Sequence, residues 1–233
     1  MPAELTGPRL EPEVAPAKRL VVFLHGYGAD GNDLIELGRQ WRPLMRDAAF
    51  VAPHASQLCA GAPMGRQWFA LNAAALTPGD PRGEEERWRG VVAAQPGLDA
   101  FLDAELARLG LDDSWLALVG FSQGSMMALH VGLRRRRAPA AIVAFSGLLV
   151  GPNKLAEAKA RNARGEPPPI LIVRGDQDPV IPLEAMLAAT DDLARAEIPN
   201  QWHLSFGVGH GIDGGGLRHG GLFLAQSFRA AAR

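Results

Sequence analysis

A single cysteine, Cys59, stands in 233 residues, so no intrachain disulfide can hold the fold together. Stability has to come from packing, and a reducing compartment is the expected setting. Net charge is nearly absent: 24 basic against 25 acidic side chains leave −1 at neutral pH. Such a surface gathers no polyanion and holds to no anionic membrane by long-range attraction, so no nucleic-acid partner is expected. No apolar run approaches the roughly 20 residues of a membrane span. The opening MPAELTGPRLEPEVAPAK puts prolines and acids where a secretory signal needs an apolar core. The expectation is a cytoplasmic protein without membrane insertion. Repeats and an obvious linker are also missing. With 47% apolar residues the chain can bury one sizeable core, so residues 1–233 are expected to form a single domain, with 1–18 irregular or an edge strand.

What is present is an alternation. Near-continuous apolar runs at 20–25 (LVVFLH), 48–53 (AAFVAP), 115–121 (WLALVGF), 140–147 (AAIVAFSG), 169–175 (PILIVRG) and 201–206 (QWHLSF) read as buried strands. Helical patterns fall between them at 33–41, 84–110, 122–136, 183–197 and 222–230, with Pro96 expected to kink or split the second. The fold class is therefore α/β, a mostly parallel, doubly wound sheet flanked by helices. Residues 55–82, rich in Ala, Gly and Pro, read as a long irregular connection. The tetra-arginine run 134–137 reads as a solvated end to the helix at 122–136, where cations complement the dipole.

The loop after the first strong strand, HGYGADG, places Gly26, Gly28 and Gly31 in a G-x-G-x-x-G pattern. A dinucleotide site would also need an acid at the end of the next strand to hold the ribose, and VAPHAS has none. No cofactor is expected, and the glycines need another purpose.

The stretch GFSQG puts Ser122 between Gly120 and Gly124 where an apolar run meets a helical pattern. A serine there is either a helix cap or a nucleophile on a sharp strand-to-helix turn. A nucleophile needs a base, a group to orient the base, and donors for the oxyanion. The acid and the histidine should follow in that order after later strands. Asp178 lies in DQDPVIP and His210 in GVGHGI, both at the carboxyl ends of such runs, where side chains of an open α/β sheet converge. Asp176 is the competing acid; it follows Gly175 so closely that bracing the turn is its expected task. His25 reads as a loop brace, His130 and His203 lie within a helix and a strand, and His54 and His219 fall outside the expected position. A metal site from His210, Asp213 and His219 matches no zinc spacing, so no metal is expected. The oxyanion donors would be the backbone amides of Gln123, at a helix N-terminus, and Tyr27, turned inward by the glycines of its loop. On that reading only the amide of Gln123 matters, and Gln123→Ala should be mild.

Taken in order, FLHGYGADGNDL, PMGRQWFAL, GFSQGSMMAL, GDQDPVIP and GVGHGI resemble the acyl-protein thioesterase and phospholipase/carboxylesterase group of small α/β-hydrolases, over most of residues 19–230. The spellings are more similar to its bacterial carboxylesterase branch. The resemblance implies an α/β-hydrolase fold, Ser122, Asp178 and His210 as the triad, Tyr27 and Gln123 as oxyanion donors, and Trp68 and Phe69 beside the acyl pocket. IDGGGLRHGG puts five glycines before the last expected helix, which should weaken helical order and leave His210 mobile. Only about 20 residues separate FSG from PILIV, too few for a large cap domain, so the site should be open.

The expected activity is hydrolysis of carboxylic esters with short to medium acyl chains through an acyl-enzyme, on a small-molecule ester or thioester. Acyl-protein thioesterase or lysophospholipase activity is the alternative within enzymes, a homodimer is compatible with the sequence, and a hydrolase-fold protein that only binds a ligand is the alternative outside them.

Overall fold

The chain enters on a two-residue strand, β1 (Arg9–Leu10), followed by β2 (Arg19–Leu24), helix α1 (Gly31–Trp41) and β3 (Ala48–Val51). The computed structural model describes residues 5–59, 62–71, 80–161 and 166–231. Next come a small hairpin, β4 (Gln57–Cys59) with β5 (Ala62–Gln67), and the long helix α2 (Pro81–Leu109). The second half alternates regularly: β6 (Leu116–Phe121), α3 (Gln123–Gly132), β7 (Ala141–Phe145), α4 (Leu155–Arg161), β8 (Ile170–Gly175), α5 (Leu183–Arg195), β9 (Asn200–Ser205) and α6 (Gly214–Ala231).

All six apolar runs are strands of one seven-stranded sheet in the order β1-β3-β2-β6-β7-β8-β9. Every neighbouring pair is parallel except β1 with β3, where Arg9 faces Val51 and Leu10 faces Phe50. β2, β3, β6, β7 and β8 are buried because both faces of the sheet are covered there; β9, expected as a buried strand, is instead a half-exposed edge, with Gln201 and Trp202 open to solvent. Leu20, Val22 and Leu24 pack with Leu98, Leu102 and Met127 from α2 and α3 on one side, while Val21 and Phe23 pack with Trp41 and Phe228 from α1 and α6 on the other. The chain runs from β2 outward to β3, then returns to lay β6 on the other side of β2. The crevice at that reversal, beyond the carboxyl ends of β2 and β6, is where an open α/β sheet places a ligand.

Several expectations needed correction. Pro96 does not divide α2, which runs unbroken from an Asp80 cap to Gly110 in the left-handed conformation. Val92, whose carbonyl the proline deprives of a donor, is on an exposed turn, so that carbonyl need not be satisfied within the protein. Within 55–82 the chain forms the β4–β5 hairpin, while 72–79 lie outside the described residues. Residues 1–4 of the expected irregular start also lie outside them, and β1 is the edge strand within 5–18. Between β7 and β8 there is only a short turn and the seven-residue α4, with no large cap among the described residues.

The elbow helix α3 stops at Gly132 and is buried along its whole length, so the arginines lie beyond it and are not simply solvated. Arg134 is buried over Trp88, 5.2 Å from the ring centroid, and donates to the His130 carbonyl. Arg135 reaches Asp99, Asp103 and Asp113 at 3.0, 2.5 and 2.7 Å. The run staples α3 to α2 and to the turn before β6.

The last helix also begins earlier than periodicity suggests. Asp213 starts it by accepting the amides of Gly215 and Gly216, both at 3.0 Å. The glycines then serve packing: a Cβ on Gly221 would sit 2.7 Å from Trp41 Cδ1, and one on Gly216 2.8 Å from Val173 Cγ1. Trp41 Nε1 closes the contact by donating to the Leu217 carbonyl at 2.9 Å. Helical order is thus recovered from tertiary contact, and His210 sits on a loop braced at both ends.

Candidate active site

The register of the sheet brings four loops to one place. Leu24 pairs with Gly120, so the loop opening at His25 leaves the sheet beside the elbow. Gly175 pairs with Ser205, so the loops carrying Asp178 and His210 leave side by side.

Ser122 occupies the elbow with φ 53° and ψ −115°, a conformation that costs a non-glycine residue about 1–3 kcal/mol. The flanking glycines are there because nothing larger fits. A Cβ on Gly120 would lie 2.3 Å from the Gly124 carbonyl oxygen, and one on Gly124 1.8 Å from that of Leu24. Ser122 donates its amide to the Phe145 carbonyl at 2.9 Å, and the Ser125 hydroxyl lies 2.7 Å from the carbonyls of both Gly120 and Phe145. Although Ser122 holds the cap position of α3, its hydroxyl makes no cap bond. It lies instead 3.0 Å from His210 Nε2.

His210 Nδ1 lies 2.8 Å from Asp178 Oδ2, and the carboxylate's other oxygen accepts the amides of Val180 and Ile181 at 2.9 and 3.0 Å. Burial pushes the Asp178 carboxyl up, but the Ile181 amide, His210 and the Val180 amide outweigh it and hold it below the ordinary carboxylate range. An ionised carboxylate only accepts, so Nδ1 carries the ring proton and Nε2 is free to take one from the serine. The Phe121 ring, 5.1 Å from that of His210, packs against it. Asp176 is engaged elsewhere: its Oδ1 accepts the Gly207 amide at 2.6 Å, bracing the turn.

The oxyanion side is built around His25, which is fully buried and has its pKa lowered chiefly by that burial. Its Nδ1 donates to the Gly26 carbonyl at 2.8 Å and Nε2 accepts the Ala55 amide at 3.0 Å. The β4–β5 hairpin adds a second clasp, because Gly28 donates to the Arg66 carbonyl and Arg66 to that of Ala29, at 2.9 and 2.8 Å. This presses the loop onto the elbow: a Cβ on Gly26 would stand 3.4 Å from Ser122 Cβ. Among the described residues no acceptor takes the amide hydrogens of Tyr27 and Gln123, which leaves both available to a developing negative charge.

Trp68 and Phe69 are buried, 2% and 3% exposed, rather than open to a substrate. The Trp68 indole donates to the His25 carbonyl at 2.9 Å, and the Phe69 ring fills the space over Gly90. Their main chain is held by the Gln123 side chain, which accepts the Trp68 amide at 2.9 Å and donates to the Phe69 carbonyl at 2.7 Å. The sequence points to the Gln123 backbone alone; a polar side chain opening a largely apolar helix was the available signal. The other histidines stay away from the triad. His130 faces Gln95, His54 accepts the Gly31 amide, and the tilted rings of His203 and His219 lie 5.0 Å apart. Asp213 accepts from Ser205 and caps α6.

A family model described as phospholipase/carboxylesterase matches residues 5–227. Acyl-protein thioesterase 1 of Neurospora crassa is 30% identical over 184 residues, covering 75% of this chain and 72% of that protein. Esterase YpfH of Escherichia coli is 28% identical over 198 residues, covering 85% and 78%. The crystal structure of esterase PE8 superposes with a TM-score of 0.86 at 42% identity, covering 96% of this chain and 99% of that one.

Proposed function

The chain belongs to the phospholipase/carboxylesterase family and is a serine ester hydrolase, and we propose that Ser122, His210 and Asp178 carry the reaction. One observation supports this above the rest: the unbroken line from Asp178 Oδ2 through His210 to Ser122 Oγ, at 2.8 and 3.0 Å. Ser122 Oγ attacks the ester carbonyl as Nε2 takes its proton, and the oxyanion is met by the amides of Tyr27 and Gln123. The protonated Nε2 then delivers its proton to the departing alcohol, leaving an acyl-serine. A water deprotonated by the same nitrogen attacks that acyl group, and Ser122 recovers its proton as the acid leaves. One α/β-hydrolase domain performs all of this.

The substrate is a small ester with a short to medium acyl chain, in keeping with a site under no large cap. Thioester hydrolysis is the second reading, favoured by the thioesterase of Neurospora crassa. No helix among the described residues is long and apolar enough to cross a membrane, and the setting we propose is the cytoplasm.

A panel of p-nitrophenyl esters graded by chain length, beside an acyl-CoA and a lysophospholipid, tests the reading. kcat/KM should be highest for a short or medium ester and fall by several powers of ten in Ser122→Ala. Wild-type turnover in Ser122→Ala would remove the serine from the mechanism, and a preparation inert on the whole panel would favour a protein that only binds its ligand.

A further inference from the structure

One buried cation near the triad has no part in the hydrolysis described above. Arg174, on β8, is 1% exposed. Its Nη1 donates to the carbonyls of Ile181 and Pro182 at 2.5 and 3.1 Å, and Nη2 to that of Gly147 at 2.7 Å, while Nε finds no partner among the described residues. Hiding a guanidinium from water is costly, and an aliphatic side chain of similar bulk would fill the space without that cost. What an aliphatic chain lacks is the fixed fork and the charge.

Both ends of that fork lie one step from the catalytic line. A carbonyl it grips on one side belongs to Ile181, a residue whose own N–H donates to Asp178 Oδ1 at 3.0 Å. The carbonyl it grips on the other belongs to Gly147, where a Cβ would stand 2.2 Å from Ser125 Cβ and 3.0 Å from the Ser122 carbonyl oxygen. Arg174 therefore closes a ring: from Ile181 to Asp178, His210 and Ser122, and back through the elbow to Gly147.

We propose that Arg174 is a positioning residue for ester hydrolysis, locking the Asp178 loop at a fixed distance from the Ser122 elbow. This rests on the triad reading above. The charge works in the same direction as the fork, since Arg174 and Asp178 attract each other. The other groups facing that carboxylate are His210 and the Val180 and Ile181 amides, with Asp176 two residues away and committed to Gly207. Removing the cation removes an attraction that favours the ionised carboxylate.

The test uses the full chain carrying Arg174→Gln or Arg174→Lys, with wild type and Ser122→Ala alongside. It follows kcat and KM on one p-nitrophenyl ester across pH, with thermal unfolding to verify folding. Arg174→Gln should lower kcat by about 10- to 100-fold with KM within about 2-fold, and move the acid limb of the kcat profile to higher pH. Arg174→Lys keeps the charge but not the fork, so its kcat should fall by about 3- to 10-fold with the acid limb unmoved. A folded Arg174→Gln with wild-type kcat and acid limb overturns the proposal. If Arg174→Gln does not fold, wild-type kcat in Arg174→Lys overturns it alone. Turnover in Ser122→Ala would instead overturn the triad reading; an inert Ser122→Ala beside fully active Arg174 variants would sink only the role of Arg174.

Discussion

The side chain of Gln123 holds the main chain of Trp68: Oε1 accepts the Trp68 amide at 2.9 Å while Nε2 donates to the next carbonyl at 2.7 Å. The residue proposed to offer its amide to the oxyanion thus also fixes the segment that supports the loop of His25 and Tyr27, through the Trp68 indole and the His25 carbonyl.

Gln123→Ala should therefore be harmful, where an amide-only role makes it mild. It leaves a buried N–H and a buried C=O without partners, each costing about 1–3 kcal/mol. Urea unfolding should show a loss of about 2–6 kcal/mol, with kcat reduced as Trp68 loosens. A loss under about 1 kcal/mol would show that water or repacking replaces the clasp.

Asp178→Asn and Asp176→Asn separate the two acids that follow β8. An amide at 178 can present its NH2 to His210 and favour the wrong tautomer, so kcat should fall by about 1,000- to 10,000-fold. At 176 the side chain serves only the Gly207 amide, and turnover should stay within about 10-fold of wild type. Steady-state kinetics on one ester decides between them.

Two glycine substitutions read the packing of two helices. In α2, a Cβ on Gly97 meets nothing within 4 Å, so Gly97→Ala should stabilise by about 0.5–1 kcal/mol through helix propensity. In α6, Gly221→Ala drives a methyl into the rigid Trp41 ring at 2.7 Å and should destabilise by about 1–3 kcal/mol. Thermal denaturation of the pair should give shifts of opposite sign.

Acid should unfold the protein partly through His130. Burial, then Arg134 and Arg161, lowers its pKa from 6.5 to about 3, so it is neutral when folded and takes a proton on unfolding. Stability from this group is complete above pH 6.5 and is lost as pH falls toward 3, with a slope near 1.4 kcal/mol per pH unit. His25, also lowered by burial, adds the same sign. Between pH 6 and 4.5, His130→Asn should show a shallower decline in unfolding free energy by about one proton's worth; an unchanged slope would mean that His130 is already charged in the fold.

Much of this architecture was legible in the sequence because its signals are local. Six apolar runs became six strands, and the elbow, acid and histidine motifs each sit where one strand ends. What escaped depends on contacts between distant segments. The glycines of 214–221 look like helix breakers until Trp41 is known to lie against them. Arg134 and Arg135 look solvated until the Trp88 ring and the acids of α2 come into reach. The hydrogen bonds of Gln123 run 54 and 55 residues back along the chain, and those of Arg174 join two loops. Trp68 and Phe69, expected beside the substrate from resemblance, are buried as supports for that loop.

The mechanism requires Ser122 to become acylated. Rapid mixing of the protein with p-nitrophenyl acetate, followed by intact-mass and peptide-mass analysis, reads that step. A burst approaching one equivalent of p-nitrophenol per chain and a transient acetyl adduct on the peptide containing Ser122 are expected, both absent in Ser122→Ala. Linear release without a burst, together with an adduct on another residue or the same adduct in Ser122→Ala, would contradict it.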